Sequence, residues 1–269
     1  METGKDSTWE GFESEFWGGE SAVDLDETPP ASYIDSSVAD HRQILEILFV
    51  IDVSGSMRGQ RIAQVNYALE NIFKELRRRD DINSTIKIAI LEFGMEAHWA
   101  TPQPVPLEDY VFTQIAVKPQ VTNYGKAFEA LNQKLRKEEF LDPTLGEYFA
   151  PLILFITDGE PVDVAEYPSA LAELQANGWF RKSAKYAIAV GEEAKNEDIG
   201  KLLAVFTGVR ENVRYADEGD ALCNLIEFIA IRASEVQTSM LSNTSDGRKE
   251  DASIFDEPDT SLFSSMFEG

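Results

Sequence analysis

Asp52, Ser54 and Ser56 alternate in the segment DVSGSM at 52–57. An extended loop turns alternate side chains the same way, so one carboxylate and two hydroxyls converge. Hard oxygen donors carrying a single negative charge suit a magnesium-type cation. Read alone, the same segment also serves as a turn whose serines cap the following helix. Two further segments supply matching chemistry: Thr122 in TNYGKA and Asp158 in TDG. Together the five residues give two carboxylates, three hydroxyls and no histidine. In such a set the hydroxyls suit direct contact with the ion, with one or both carboxylates acting through water.

The elements around these residues must bring them together. Ile47–Ile51 is an unbroken apolar run that ends at Asp52, and Ala150–Thr157 (APLILFIT) is another that ends at Asp158. Runs of this kind read as strands buried on both faces of a parallel sheet. Acids at the C-terminal ends of such strands lie where open α/β sheets place their ligands. Ile62, Val65, Leu69, Ile72, Phe73 and Leu76 have helical spacing within 58–79. A second helix is expected over 124–138, with Thr122 or Asn123 as its cap. Further strands are expected at Ile86–Phe93, Ala97–Thr101, Ala184–Val190 and Val213–Tyr215, and further helices at 163–178, 198–206 and 221–235. Pro102, Pro104 and Pro106 exclude a central strand, so 102–121 reads as a long surface connection. The alternation predicts an α/β fold: an open, doubly wound, mostly parallel sheet with helices on both faces.

At this point the chain resembles a family. DVSGSM, TNYGKA and TDG match, in order and spacing, the three segments of a von Willebrand factor A domain over about 41–238. The resemblance implies a Rossmann-like vWA fold with a complete metal-ion-dependent adhesion site. It implies Ser54, Ser56 and Thr122 as hydroxyl ligands of Mg²⁺ (Mn²⁺ as the alternative), and Asp52 and Asp158 as holders of coordinating waters or weak ligands. It also implies a protein partner that supplies an Asp or Glu to the metal. LFVIDVSGSMRG and LFITDGEPVD look most like the bacterial TerY-like branch, which implies a tellurite-resistance or stress-response setting with kinase, phosphatase or Ter-type partners.

Composition narrows the function classes. The formal net charge of the 269 residues is -24, which argues against nucleic acid and anionic membranes as partners, because both select a basic footprint. Residues 1–40 hold 11 acidic residues and 1 basic one, and 239–269 are also acidic; both are expected to be disordered tails around a domain at 41–238. Trp9, Phe12, Phe16 and Trp17 are interleaved with acids in the first tail. The tails therefore carry an alternative reading, as docking or phosphorylation segments on a scaffold. Cys223 alone makes no intramolecular disulfide, and METGKDSTWEGFESEF lacks the pattern of a signal peptide. A cytoplasmic protein is the expectation.

Enzymatic chemistry finds no support. There is no G-x-x-x-x-G-K-[ST] phosphate cradle and no G-x-S-x-G elbow. Aspartyl phosphotransferases typically carry a second Asp two residues after the first, where this chain has Ser54. His98 reads as a strand residue, Glu92 has no assigned role, and Glu160 and Asp163 are expected on the rim of the site.

Overall fold

The computed structural model describes residues 43–78, 84–191 and 196–216. The first strand, β1 (Gln43–Asp52), runs through the centre of a sheet ordered β3-β2-β1-β5-β6-β7. Its parallel neighbours are β2 (Ser84–Phe93) and β5 (Leu152–Thr157), followed by parallel β6 (Ala184–Val190) and β7 (Val213–Ala216). Two short strands, β3 (Ala97–Trp99) and β4 (Val105–Pro106), pair antiparallel with β2 at the edge. Pro106 is tolerated there because an edge strand does not need every backbone donor.

Helices cover both faces, and the pleat of β1 sorts its side chains between them. Leu45, Ile47, Phe49 and Ile51 pack with Val65, Leu69, Ile72 and Phe73 of α1 (Gln60–Arg78). Leu48 and Val50 face α2 (Tyr124–Lys134), α3 (Tyr167–Ala176) and α5 (Glu197–Thr207), with the short α4 (Gly178–Lys182) at the margin. Phe93, Tyr124, Phe128, Phe155 and Phe206 form a continuous ring cluster on this second face, with centroids 5.0 to 6.0 Å apart. The expected α/β architecture is the one observed.

Several local expectations are refined. The helix expected from 163 begins at Tyr167, with Pro168 in its first turn, where the missing N–H costs nothing. Asn177, not Gly178, closes α3, and its side chain caps α4. The stretch 102–121 is more than a surface connection. Leu107, Tyr110 and Ile115 are buried, and Tyr110 meets Phe73 edge-on at 5.0 Å. Asn66 of α1 fastens it, accepting from Ile115 N at 2.7 Å and donating to Ile115 O at 2.9 Å. The expected tails, the helix at 221–235 and Cys223 lie outside the described residues.

Candidate metal centre

Parallel pairing sets Ile51 beside Ile156, so Asp52 and Asp158 leave adjacent strands at one sheet edge. The loop after β1 is then held from outside. Val53 N donates to Phe93 O at 2.8 Å, Lys118 N to Val53 O at 2.8 Å, and Gly55 N to Gln120 O at 2.9 Å. The fastened stretch ending at residue 121 thereby sets the conformation of DVSGSM. Ser54 itself has extended backbone, with φ -63 and ψ 169, and begins a short 3-10 turn at Gly55–Met57.

Three of the five sequence-designated residues join one hydrogen-bonded string. Ser56 Oγ donates to Asp158 Oδ1 at 2.8 Å. Its single hydroxyl proton is thereby used, so Ser54 Oγ donates to Ser56 Oγ, at 3.0 Å. Asp52 is held behind them: Oδ1 accepts from Ser54 N and Oδ2 from Thr157 Oγ, both at 2.8 Å. Asp52, Ser54, Thr122 and Asp158 are buried, whereas Ser56 is exposed and marks the mouth of the site. Burial pushes the Asp52 carboxyl up, against the hydrogen bonds from Ser54 and Thr157, and Asp158 nearby adds to the rise.

Thr122 reaches the same edge by a different route. Asn123 N donates to Gly94 O at 2.8 Å, and Val162 N donates to Thr122 O at 2.9 Å, so three loops are laced together. Asn123 is the cap of α2, accepting from Lys126 N at 3.0 Å, which leaves the Thr122 side chain uncommitted to capping. Among the described residues the Thr122 hydroxyl makes no hydrogen bond to the serine–aspartate string.

Five supporting residues were not singled out from sequence for this role. Thr157 bridges Asp52 and the Tyr124 hydroxyl, whose one proton is shared between Thr157 Oγ at 3.1 Å and Gly159 O at 2.9 Å. Asp163 is a buried anchor and not a rim residue, accepting from Tyr124 N at 3.0 Å and Gly125 N at 2.7 Å at the start of α2. A Cβ on Gly125 would come within 2.8 Å of that carboxylate, so glycine is required for the approach. Arg61 in the first turn of α1 donates to Asp158 Oδ2 at 2.7 Å. Glu92 pairs with Lys118 at 2.9 Å, Glu160 with Asn196, and exposed His98 lies in β3 opposite Glu92.

The donor chemistry can be tested against the implied ion. Oxygens on adjacent corners of a magnesium octahedron lie roughly 2.9 Å apart, from metal–oxygen distances of about 2.0–2.1 Å. The two links of the string, 3.0 and 2.8 Å, are hydroxyl hydrogen bonds of ordinary length, and they bring these oxygens as close together as the ligands of one small cation. Among the described residues no three His, Cys, Asp or Glu side chains converge, so any cation here relies on hydroxyls.

Residues 46–227 match the von Willebrand factor type A domain. The chain belongs to that family. The family is one of non-catalytic adhesion and binding modules, which bears out the non-enzymatic expectation. Inter-alpha-trypsin inhibitor heavy chain 4 of mouse is 31% identical over 121 residues, which are 43% of this chain and 12% of that protein. The chain therefore spans a small part of that relative's length. Among solved structures, proximal thread matrix protein 1 of the mussel byssus, with its MIDAS motif occupied by zinc, aligns at TM-score 0.50 and 17% identity, over 72% of this chain and 46% of that one. The pilus adhesin SpaC of Lactobacillus rhamnosus GG aligns at TM-score 0.53 and 13% identity, over 71% and 30%. Divalent metal binding is thus a property found within the fold.

These comparisons overturn the cytoplasmic expectation: a byssus thread and a pilus are built outside cells. The physical grounds for that expectation were weak. One cysteine leaves no intramolecular disulfide in either compartment, and a hydroxyl–carboxylate site is indifferent to redox conditions. None of the relatives named above is a tellurite-resistance protein. No helix among the described residues is long and apolar enough to cross a membrane.

Proposed function

We propose that this chain is a metal-dependent protein-binding module. Ser54, Ser56 and Thr122 hold Mg²⁺, or Mn²⁺ in its place, through their hydroxyls; Asp52 and Asp158 hold its waters or ligate weakly; an acidic side chain of a protein partner completes the coordination. The observation that carries this reading is the Ser54–Ser56–Asp158 string, which gathers two hydroxyls and a carboxylate at one sheet edge as hard oxygen donors for a divalent ion. When bound, the ion supplies an electrophilic centre for a carboxylate. The protein's own contribution is to fix the donors and keep the floor of the site buried. Asp52 is aimed by Ser54 N and Thr157, and Thr122 by the anchoring of α2 on Asp163.

The loops around the site also favour a protein ligand. Met95, Val121, Val162 and Val164 are exposed apolar side chains on the three laced loops. An acidic residue with apolar neighbours is the partner chemistry that such a surface accepts. The domain at 41–238 is the binding unit in this reading, flanked by acidic tails at 1–40 and 239–269. The tails carry the second reading, as docking or phosphorylation segments, on the strength of their acidic-aromatic composition. Placement in a stress-response or tellurite-resistance assembly, with kinase, phosphatase or Ter-type partners, is supported by the resemblance of LFVIDVSGSMRG and LFITDGEPVD.

The test is Asp52→Ala with Mg²⁺ titrated by calorimetry into the full chain. Binding is expected to be lost or weakened more than about tenfold, with helical content unchanged by circular dichroism. Equal affinity in the two proteins defeats the site. Partner capture that persists in EDTA transfers the function to the tails.

A further inference from the structure

The two carboxylates of the site are held by different chemistry. Asp52 takes only neutral donors, Ser54 N and Thr157 Oγ. Asp158 takes a neutral hydroxyl on Oδ1, from Ser56, and a permanent cation on Oδ2, from Arg61. The Asp158 side chain is fully buried and that of Arg61 is only 26% exposed, so water screens this pair far less than a surface pair. Arginine keeps its charge under all physiological conditions.

The guanidinium is seated, not merely reaching. Its Nη1 also donates to Ser56 O at 3.2 Å, on the backbone of the metal loop itself. On its other side lies Gly191, just past the end of β6. A Cβ there would come within 2.8 Å of Nε and 3.0 Å of Nη2, and the φ of +90 at this position also selects glycine. Three separate elements therefore converge on Arg61: the metal loop, the loop after β5 and the end of β6.

We propose that Arg61 is the residue that makes the site depend on an acidic ligand, an inference that rests on the metal-site reading above. With Arg61 in place, one positive charge offsets the carboxylates of the pocket. A divalent ion is then neutralised less completely than it would be without the guanidinium, in surroundings that screen poorly. The metal alone is held weakly, and an incoming carboxylate is drawn in to neutralise the excess. Metal and acidic ligand then reinforce each other's binding, as linkage requires. Without Arg61 the carboxylates of the pocket neutralise the dication more fully, and the attraction for a partner's carboxylate falls. Loss of Arg61 also removes a hydrogen bond that orients Asp158. That effect is the smaller one, because Ser56 still holds Oδ1 and the side chain has no room to swing out of its buried position.

The experiment uses full-length wild type, Arg61→Gln and Arg61→Lys, with Mn²⁺ alone as the probe, followed by calorimetry or by the spin-resonance signal of free Mn²⁺. Each titration is run in sodium chloride and in sodium acetate of equal ionic strength. Arg61→Gln keeps an amide donor but drops the charge. It is expected to bind Mn²⁺ about tenfold more tightly than wild type in chloride, and to lose the gain in affinity that acetate gives wild type. Arg61→Lys keeps the charge and is expected to behave as wild type in both salts. Unchanged or weaker Mn²⁺ binding by Arg61→Gln, with a normal melting curve, overturns the proposal and leaves the metal site standing. Absence of Mn²⁺ binding by wild type overturns both.

Discussion

Glu46 and Asp52 lie on the same face of β1, both almost fully shielded from solvent, and they are treated in opposite ways. At the C-terminal end, Asp52 accepts from a loop N–H and a threonine hydroxyl. Towards the N-terminal end, neither oxygen of Glu46 has a hydrogen-bond partner among the described residues, and the charge that relieves it is that of Lys87, directly across on β2. Burial accordingly pushes the Glu46 carboxyl up to about 8, with Lys87 pulling modestly the other way. The difference follows from where each acid sits. Beyond Asp52 the chain turns into a loop whose backbone and hydroxyl donors are free to point inward, whereas around Glu46 the strand's own donors are spent on the ladder. A buried acid with donors can serve as a fixed negative anchor; one without them keeps its proton.

The contrast predicts its largest effect at Glu46. A folded-state value near 8 against 4.5 for the free side chain means that the native state holds the proton more tightly. Stability linked to this group is fully present below 4.5 and is lost as pH rises through about 8. Glu46→Gln removes that dependence. Relative to wild type it is expected to gain on the order of 5 kcal/mol above the window and nothing below it, read from urea midpoints across pH. Parallel curves for the two proteins would show that Glu46 is charged and paired after all.

A smaller effect is expected from making Asp52 resemble Glu46. Thr157→Val deletes the hydroxyl that donates to Asp52 Oδ2 and accepts from Tyr124. The expected loss is about 1–3 kcal/mol in urea unfolding, the usual cost of leaving buried polar atoms unpaired, together with weaker Mg²⁺ binding by calorimetry. Stability lost with metal affinity intact would make Thr157 a packing residue only. The smallest change is expected from Lys87→Met, which removes the cation facing Glu46. The upper edge of the Glu46 window should move above 8, with a stability change below about 1 kcal/mol, since Lys87 is half-buried and partly screened. A larger loss would mean that Lys87 and Glu46 form a charged pair.

Much of the fold was legible because its signals are local. The apolar runs before Asp52 and Asp158 could only be strands buried on both faces, and Val65, Leu69, Ile72 and Phe73 could only be one stripe of a helix. The five candidate ligands were legible for a similar reason, since hydroxyl and carboxylate types recur at loops whose strand context the sequence also reveals. Asn123 rather than Thr122 as the cap was not legible, because both side chains suit the position and the choice depends on the tie from Asn123 N to Gly94. Asp163 looked like a rim acid because nothing in its own segment shows the start of α2 arriving beside it. The prolines of 102–121 correctly excluded a central strand, yet gave no hint of Asn66, which draws that stretch into the core.

The sequence by itself determined the architecture, the family and the oxygen-only character of the site, since each depends on residue types and short spacings. Tertiary structure alone decided how each acid is held: Arg61 on Asp158, Thr157 on Asp52, no hydrogen-bond partner for Glu46. Those pairings join residues distant along the chain through the parallel register of β1 and β5 and the docking of α1. A charge's behaviour depends on what surrounds it in space, and no local pattern encodes that.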